Sequence, residues 1–395
     1  MATISTDNQL TAAERRRAVL NRTGKAQSSR LATEVPSRVY YGIVGVITVL
    51  VVFGLIMVLS SSSIVSINNG GSAWYMFRKQ LAWSFCGFFA LLLTYRMPYH
   101  IWNRLVKYVL GIGIFLMLLP FSPLGITING ARAWAEVGPV RFQPSEMLKV
   151  AVLLYCASLL GRRRKEIEDL RRTFAPIVLV WFISVALCMM QKDFGAAIVF
   201  TCVILSTMFI AGTPLRLIGT VGAITVLGSV IAISASSRMQ QRFLSFLDLE
   251  GNKGHSAYQV WQSILSISNG GITGVGAGQG TGKWGYVPLA HSDFIFAIVA
   301  EEFGLIGSAM VLGLFLALAL LGIQVALRAR DPFGAVLAGG ITTWLCIQAA
   351  INIGGVIGAL PVTGLTLPFI SYGGSSLFMV MAASGLLLNV ARNMK

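Results

Sequence analysis

From residue 39 to the C-terminus, apolar runs of membrane-crossing length alternate with polar breaks. The runs fall at roughly 39–60, 80–95, 108–121, 145–161, 173–190, 195–211, 214–234, 294–323, 333–360 and 375–391. They are continuous rather than alternating, which excludes an outer-membrane barrel. Helices satisfy their own backbone polar groups in lipid. The pattern therefore predicts an all-α polytopic membrane protein of about ten transmembrane helices. The run from Phe294 to Ile323 exceeds one upright span, so tilting or kinking is expected. Two polar segments are long: 122–144, and about 235–292 between spans seven and eight. Such loops are usually functional or disordered.

Composition agrees with this plan. The chain has 55% apolar and only 12% charged residues, with mean hydropathy +0.74; a soluble chain is about 25% charged. Its five cysteines all lie in apolar runs without metal-like spacing, so they read as packing residues. Residues 1–38 read as a basic, mostly disordered tail, and 39–395 as the transmembrane domain.

Charge sets the orientation. An even number of spans puts both termini on one side, and most of the 31 Lys and Arg residues fall on that side. The positive-inside rule makes it the cytoplasm. The same rule accounts for most of the net charge of +16; no nucleic-acid module is visible. Arg78, Lys79, Arg132, Arg141, Lys149, Lys192, Arg238, Arg242, Lys253 and Lys283 lie in or beside outer segments. Topology does not require them, and they point to an anionic ligand at the outer face.

Five constellations carry candidate chemistry. Asn129-Gly-Ala-Arg-Ala-Trp134 leads to Gln143-Pro-Ser-Glu-Met-Leu-Lys149, where Pro144 marks a helix start. Glu146 and Lys149 are three apart and share one helix face. They read either as an anchoring ion pair or, for Lys149 with Arg132, as an anion site. Lys192-Asp193 stands at a tight outer turn, as a local cap or as part of the site. The Gly-rich run 270–283 fails as a P-loop: Ala277 occupies the first Gly position and Trp284 replaces the Ser or Thr that binds magnesium. Two readings stay open for it: backbone amides that cradle a phosphate, and a flexible or closely packed turn.

Asp293 stands where the second long outer segment meets a span. Two readings fit it: an N-cap favoured by the helix dipole, and a general base at the membrane surface. Glu301 and Glu302 are roughly 12 Å deeper along the helix axis; two adjacent acids inside a span need a cavity or a partner. Finally, 352–376 carries Pro361, Pro368 and Gly373-Gly374 and predicts a broken, re-entrant segment. It contains Ser371 and Tyr372.

In this order these elements resemble the SEDS family (shape, elongation, division, sporulation), which includes FtsW, RodA and SpoVE. The similarity covers about 39–391. It rests on Asn-Gly-Ala-Arg-x-Trp at 129–134, Gln-Pro-Ser-Glu-x-x-Lys at 143–149, His-Ser-Asp-Phe-Ile-Phe-Ala at 291–297, Glu-Glu-x-Gly at 301–304 and Pro-Phe-Ile-Ser-Tyr-Gly-Gly-Ser-Ser at 368–376. Pro-Val-Thr-Gly at 361–364 and the basic tail lean toward the FtsW branch. The chain departs from the family pattern at Lys192, where Pro often stands, at Leu289, where Glu is common, and at Ser292, which replaces a frequent Thr.

The resemblance implies a peptidoglycan glycosyltransferase that polymerises lipid II at the outer face of the bacterial cytoplasmic membrane. It also implies a class B penicillin-binding protein as transpeptidase partner, alongside other division or elongation proteins. Asp293 matches the family's essential acid. Arg132, Lys149, Lys192, Glu146, Ser371 and Tyr372 are the candidate substrate-binding residues. No metal ligands are assigned; a divalent cation, Mg or Mn, is an optional companion of the pyrophosphate. Two other classes compete: a lipid-linked precursor flippase and a non-catalytic division scaffold.

Overall fold

The computed structural model describes residues 37–68, 70–138, 140–255 and 257–394. The predicted tail lies outside the described residues except at its last two positions, as does the side chain of Arg238. The chain divides into two units, Met1–Arg38 and Val39–Lys395; the membrane domain is the second.

Its α-helices are α1 (Arg38–Asn68), α2 (Tyr75–Arg96), α3 (Tyr99–Leu116), α4 (Pro144–Arg162), α5 (Ala175–Met190), α6 (Phe194–Ile210), α7 (Leu215–Ala235), α8 (Ser237–Leu247), α9 (Tyr258–Gly270), α10 (Ile295–Arg328), α11 (Pro332–Val356) and α12 (Gly374–Arg392). Eight are long and apolar enough to cross a membrane. The other two predicted spans are α2, which carries Arg78, Lys79 and Arg96, and α6, an apolar helix of 17 residues. Ten helices thus answer to the ten apolar runs, and the protein is an all-α polytopic membrane protein.

The two long loops differ from their sequence reading. Segment 122–144 is ordered as an antiparallel sheet of three short strands, β1 (Gly125–Ile128), β2 (Ala131–Val137) and β3 (Val140–Phe142), in the order β1-β2-β3. Asn129 (φ 50) and Gly130 (φ 75) form the turn between β1 and β2; Asn and Gly are the residues that tolerate such backbone. Strands β1 and β3 are too short to show alternation, and in β2 the alternation of Ala131, Ala133 and Ala135 with Arg132, Trp134 and Glu136 is carried by alanine, a weak strand former, so the sequence hid the sheet. Segment 235–292 contains α8 and α9. Helix α8 is amphipathic; Ser245 is buried while Phe243, Leu244 and Leu247 are exposed.

Where helices meet closely, side chains are small. A Cβ on Gly385 of α12 would sit 2.0 Å from Thr94 Oγ1 of α2, and one on Gly322 of α10 would sit 2.0 Å from Thr342 Oγ1 of α11. Small residues let helix backbones approach in lipid, where apolar burial alone drives little association. Polar side chains add to this: Asn389 of α12 donates to the carbonyls of Thr94, Tyr95 and Met97 at the end of α2.

Helix α10 is long because it is broken. Gly304 has φ 63, ψ −155 inside it, backbone open essentially to glycine alone. The Gly-rich run fills the break. Val275 and Gly276 donate their amides to the carbonyls of Glu301 and Glu302, while the Leu305 and Ile306 amides donate to Gly271 and Ile272. The expected kink is thus an inserted loop whose amides and carbonyls replace the lost helical hydrogen bonds.

Candidate active site

Successive spans alternate in direction, so the sheet, the Lys192 turn, α8, the His291–Phe294 turn and segment 357–373 gather at one end. Charge bias makes it the outer end. Asp293 lies in the turn before α10. That helix is capped at Phe294 with no side-chain bond, so the N-cap reading of Asp293 does not hold. The turn is fixed from behind. Asn352 of α11 donates to the Asp293 carbonyl at 2.7 Å, Ser371 Oγ donates to the Ser292 carbonyl at 2.6 Å, and the Tyr372 amide donates to the His291 carbonyl at 2.9 Å. The rings of His291 and Tyr372 meet edge to face, 5.7 Å apart.

The Asp293 side chain is half-buried and borders a narrow, partly open cleft, with Asn352, Gly355, Val362, Thr363 and Gly364 among its walls. Burial pushes the carboxyl up to about 7; the Arg242 guanidinium pulls it back down and the Asp193 carboxylate pushes it up. Arg242 comes from α8 and donates to the Val362 carbonyl at 3.2 Å. Asp193 caps α6 through the Ala196 amide and accepts from Gln143 and Ser145. A base that titrates near neutrality is matched to proton abstraction at physiological pH.

The other candidate residues separate into two groups. Arg132 and Lys192 are exposed and joined through backbone, since the Arg132 amide donates to the Gln191 carbonyl at 3.0 Å. Lys192 has φ 60, which proline's ring forbids; the departure from Pro therefore alters the turn itself. Glu146, Lys149 and Ser371 are buried. Lys149 has no exposed surface, donates to the Glu146 carboxylate at 2.8 Å and lies over the Trp344 ring. It also donates to Gln348 Oε1, and Gln348 in turn donates to the Thr366 carbonyl. The structure thus realises the ion pair, and in this conformation Lys149 presents no surface to a ligand. It supports segment 357–373 from beneath. Ser371 through its hydroxyl and Tyr372 through its amide act on the carbonyls of the Asp293 turn.

Glu301 and Glu302 hold the Gly-rich run. Glu301 accepts from Thr281 and Gly282; Glu302 accepts from Ser60 Oγ at 2.6 Å, the Gly278 amide at 2.9 Å and Lys283 Nζ at 2.7 Å. Asp193, read from the sequence as a cap or a part of the site, caps α6 and also bears on Asp293. Two further neighbours of Asp293 do not stand out as site residues in the sequence, Arg242 and Asn352. Arg242 is one outer cation among many there, and Asn352 only the start of a broken segment. A charge on the buried side of an amphipathic outer helix is the available signal for Arg242. Among the described residues no group of three or more His, Cys, Asp or Glu side chains could hold a metal ion.

The model of the FtsW/RodA/SpoVE cell cycle proteins matches residues 41–395. This chain belongs to that family. The probable peptidoglycan glycosyltransferase FtsW of Mycobacterium tuberculosis is 39% identical over 360 residues, covering 91% of this chain and 68% of the relative. Stage V sporulation protein E of Bacillus subtilis is 38% identical over 347 residues, covering 87% and 94%. Among solved structures, RodA of Thermus thermophilus superposes with TM-score 0.66 at 27% identity, over 90% of this chain and 97% of that one. A chain from a peptidoglycan synthase complex that coordinates polymerization and crosslinking superposes with TM-score 0.73 at 28% identity, over 90% and 98%. The SEDS resemblance and the lean toward FtsW are both borne out. As a member of this family the chain is a multi-pass protein of the bacterial cytoplasmic membrane.

Proposed function

We propose that this SEDS protein is an inverting peptidoglycan glycosyltransferase that polymerises lipid II at the outer membrane face. One observation carries the chemistry: the half-buried Asp293 carboxyl, with proton affinity raised to about 7, at the edge of a cleft. Asp293 accepts the proton of the acceptor GlcNAc 4-hydroxyl. The freed oxygen bonds to C1 of the donor MurNAc. The C1–oxygen bond to pyrophosphate breaks, and polyprenyl pyrophosphate leaves with the electron pair. Pyrophosphate is a good leaving group, so charge stabilisation matters more than a strong acid. The exposed pair Arg132 and Lys192 are the proposed pyrophosphate contacts. Glu146, Lys149, Ser371 and Tyr372 serve as supports for the segments around the cleft. A Mg or Mn ion is an optional companion of the pyrophosphate, which would supply most of its oxygen ligands. The proposed partner is a class B penicillin-binding protein, in keeping with the synthase complex to which the fold is similar.

The flippase alternative drew on the intramembrane acids. Glu301 and Glu302 are fully engaged with Thr281, Gly282, Ser60, Gly278 and Lys283, which counts against a transport path through them. The test is polymerisation of purified lipid II in detergent, where no membrane is crossed, with the cognate transpeptidase present. Wild type makes glycan strands, and Asp293→Asn loses about 10²–10⁴-fold of the rate while inserting and folding normally. A wild-type rate from Asp293→Asn sinks the base assignment. Strands absent from the wild-type reaction sink the polymerase reading.

A further inference from the structure

Asn352 is buried at 5% exposure in the last turn of α11 and borders the same cleft as Asp293. Its Nδ2 donates twice, to the Asp293 carbonyl at 2.7 Å and to the Leu365 carbonyl at 2.6 Å. Those bonds fix which way the amide faces, because the flipped amide would set Oδ1 against two carbonyl oxygens. Oδ1, buried, has no hydrogen-bond partner in the protein. A buried acceptor of this kind is costly to leave unsatisfied.

We propose that Asn352 Oδ1 is a substrate-binding acceptor, receiving a hydrogen bond from a sugar hydroxyl that flanks the attacking one. The proposal rests on the polymerase reading and deepens it. If the GlcNAc 4-hydroxyl meets Asp293, the nearest donors on that ring are the 3-hydroxyl and the 6-hydroxyl. The shared chemistry is a neutral O–H donor, which a carboxamide oxygen accepts without adding charge beside the base. One amide then performs two tasks. Nδ2 fixes the backbone of the residue that takes the proton, and Oδ1 orients the sugar that gives it. Gly364 lines the same cleft, close enough to Asp293 that an added Cβ would lie 3.7 Å from its Oδ2.

The experiment is a cycle between protein and substrate. Wild type and Asn352→Leu, each with the cognate transpeptidase, are assayed for kcat/KM on lipid II carrying normal, 3-deoxy or 6-deoxy GlcNAc. In wild type one of the two deoxy acceptors loses roughly tenfold, the size of one lost buried hydrogen bond. In Asn352→Leu, slower throughout because Nδ2 is also gone, that acceptor loses nothing further. A purely structural Asn352 would lower activity equally on all three substrates, and that result overturns the proposal. Where Asn352→Leu fails to fold, the wild-type arms decide alone: no penalty from either deoxy acceptor overturns it. Polymerisation without a penalty removes this proposal only. Absence of polymerisation by wild type removes the polymerase reading and this proposal with it.

Discussion

Helices α4, α11 and α12 differ sharply from α7 and α8. In the most apolar stretch of α12, 89% of residues are buried within the protein, with 78% for α4 and 67% for α11; for α7 the figure is 11%. The first three carry buried polar side chains: Glu146, Lys149, Gln348, Asn352, Ser384 and Asn389. Helix α7 buries only Leu217 and Val221 and exposes Val226, Leu227, Val230 and Ile231. Its continuation, α8, brings Arg242 to the cleft. Asp293 sits where these regions meet. Its backbone is held by the packed side through Asn352 and Ser371, while its nearest countercharge arrives from the sparsely packed side. A base whose position is rigid and whose countercharge is carried on a separate helix can have its proton affinity tuned without being moved.

The largest effect expected from breaking the packed side is at Lys149. Lys149→Met leaves Glu146 buried without its partner, a loss of about 3–5 kcal/mol. It should appear as a large fall in the thermal midpoint in detergent. Lys149→Met with Glu146→Gln should recover much of it, since removing both charges removes the stranded one. An equal fall in the single and double variants would show that the pair itself is not what matters.

Next is Gly304, where the Gly-rich run enters α10. A Cβ there would lie 2.4 Å from the Gly274 amide nitrogen, and the backbone is one that side chains avoid. Gly304→Ala should cost about 1–3 kcal/mol and expose 270–283 to protease. Unchanged proteolysis would mean the loop is not held by the break.

The sparsely packed side is probed by pH. Asp293 acts as a base only when ionised, so wild-type activity should fall as pH drops through about 7. Arg242 favours the ionised form. Arg242→Gln should therefore move the acid limb to higher pH, with the greatest deficit below neutrality and partial recovery in alkaline buffer. A uniform loss at every pH would assign Arg242 to substrate binding instead. Smallest of all is Leu227→Ala on exposed α7, expected within about 0.5 kcal/mol of wild type. Leu154→Ala on buried α4 should cost about 2–5 kcal/mol. Equal midpoints for the two would erase the contrast between the regions.

Much of the proposed site draws on residues that the sequence already marks. Asp293 stood out because an acid at a span boundary requires a reason, and Arg132 and Lys192 because outer cations exceed what topology requires. The Glu146–Lys149 spacing allowed both an ion pair and an anion site. Complete burial of Lys149 gives the first in this conformation, and burial cannot be read from a spacing of three. Asn352 escaped because it meets Asp293 from far along the chain with nothing local to mark its role, and Arg242 because it was one outer cation among many until the fold brought it to the cleft. The sheet at 125–142 escaped because β1 and β3 are too short for a period to emerge and the alternation in β2 is carried by alanines, which favour strands weakly.

What the sequence determined alone was the span plan, the orientation and the family. Continuous apolar runs must become helices in lipid, charge bias sets their direction, and the motifs stand in the family's order. The tertiary structure decided which charges are satisfied and which are left for a ligand. It closed Glu302 on Lys283 and Glu146 on Lys149, bent α10 around the Gly-rich run, and left Asn352 Oδ1 without a partner beside Asp293. Partnering at short range depends on three-dimensional proximity between distant segments, and hydropathy and local spacing carry no record of it.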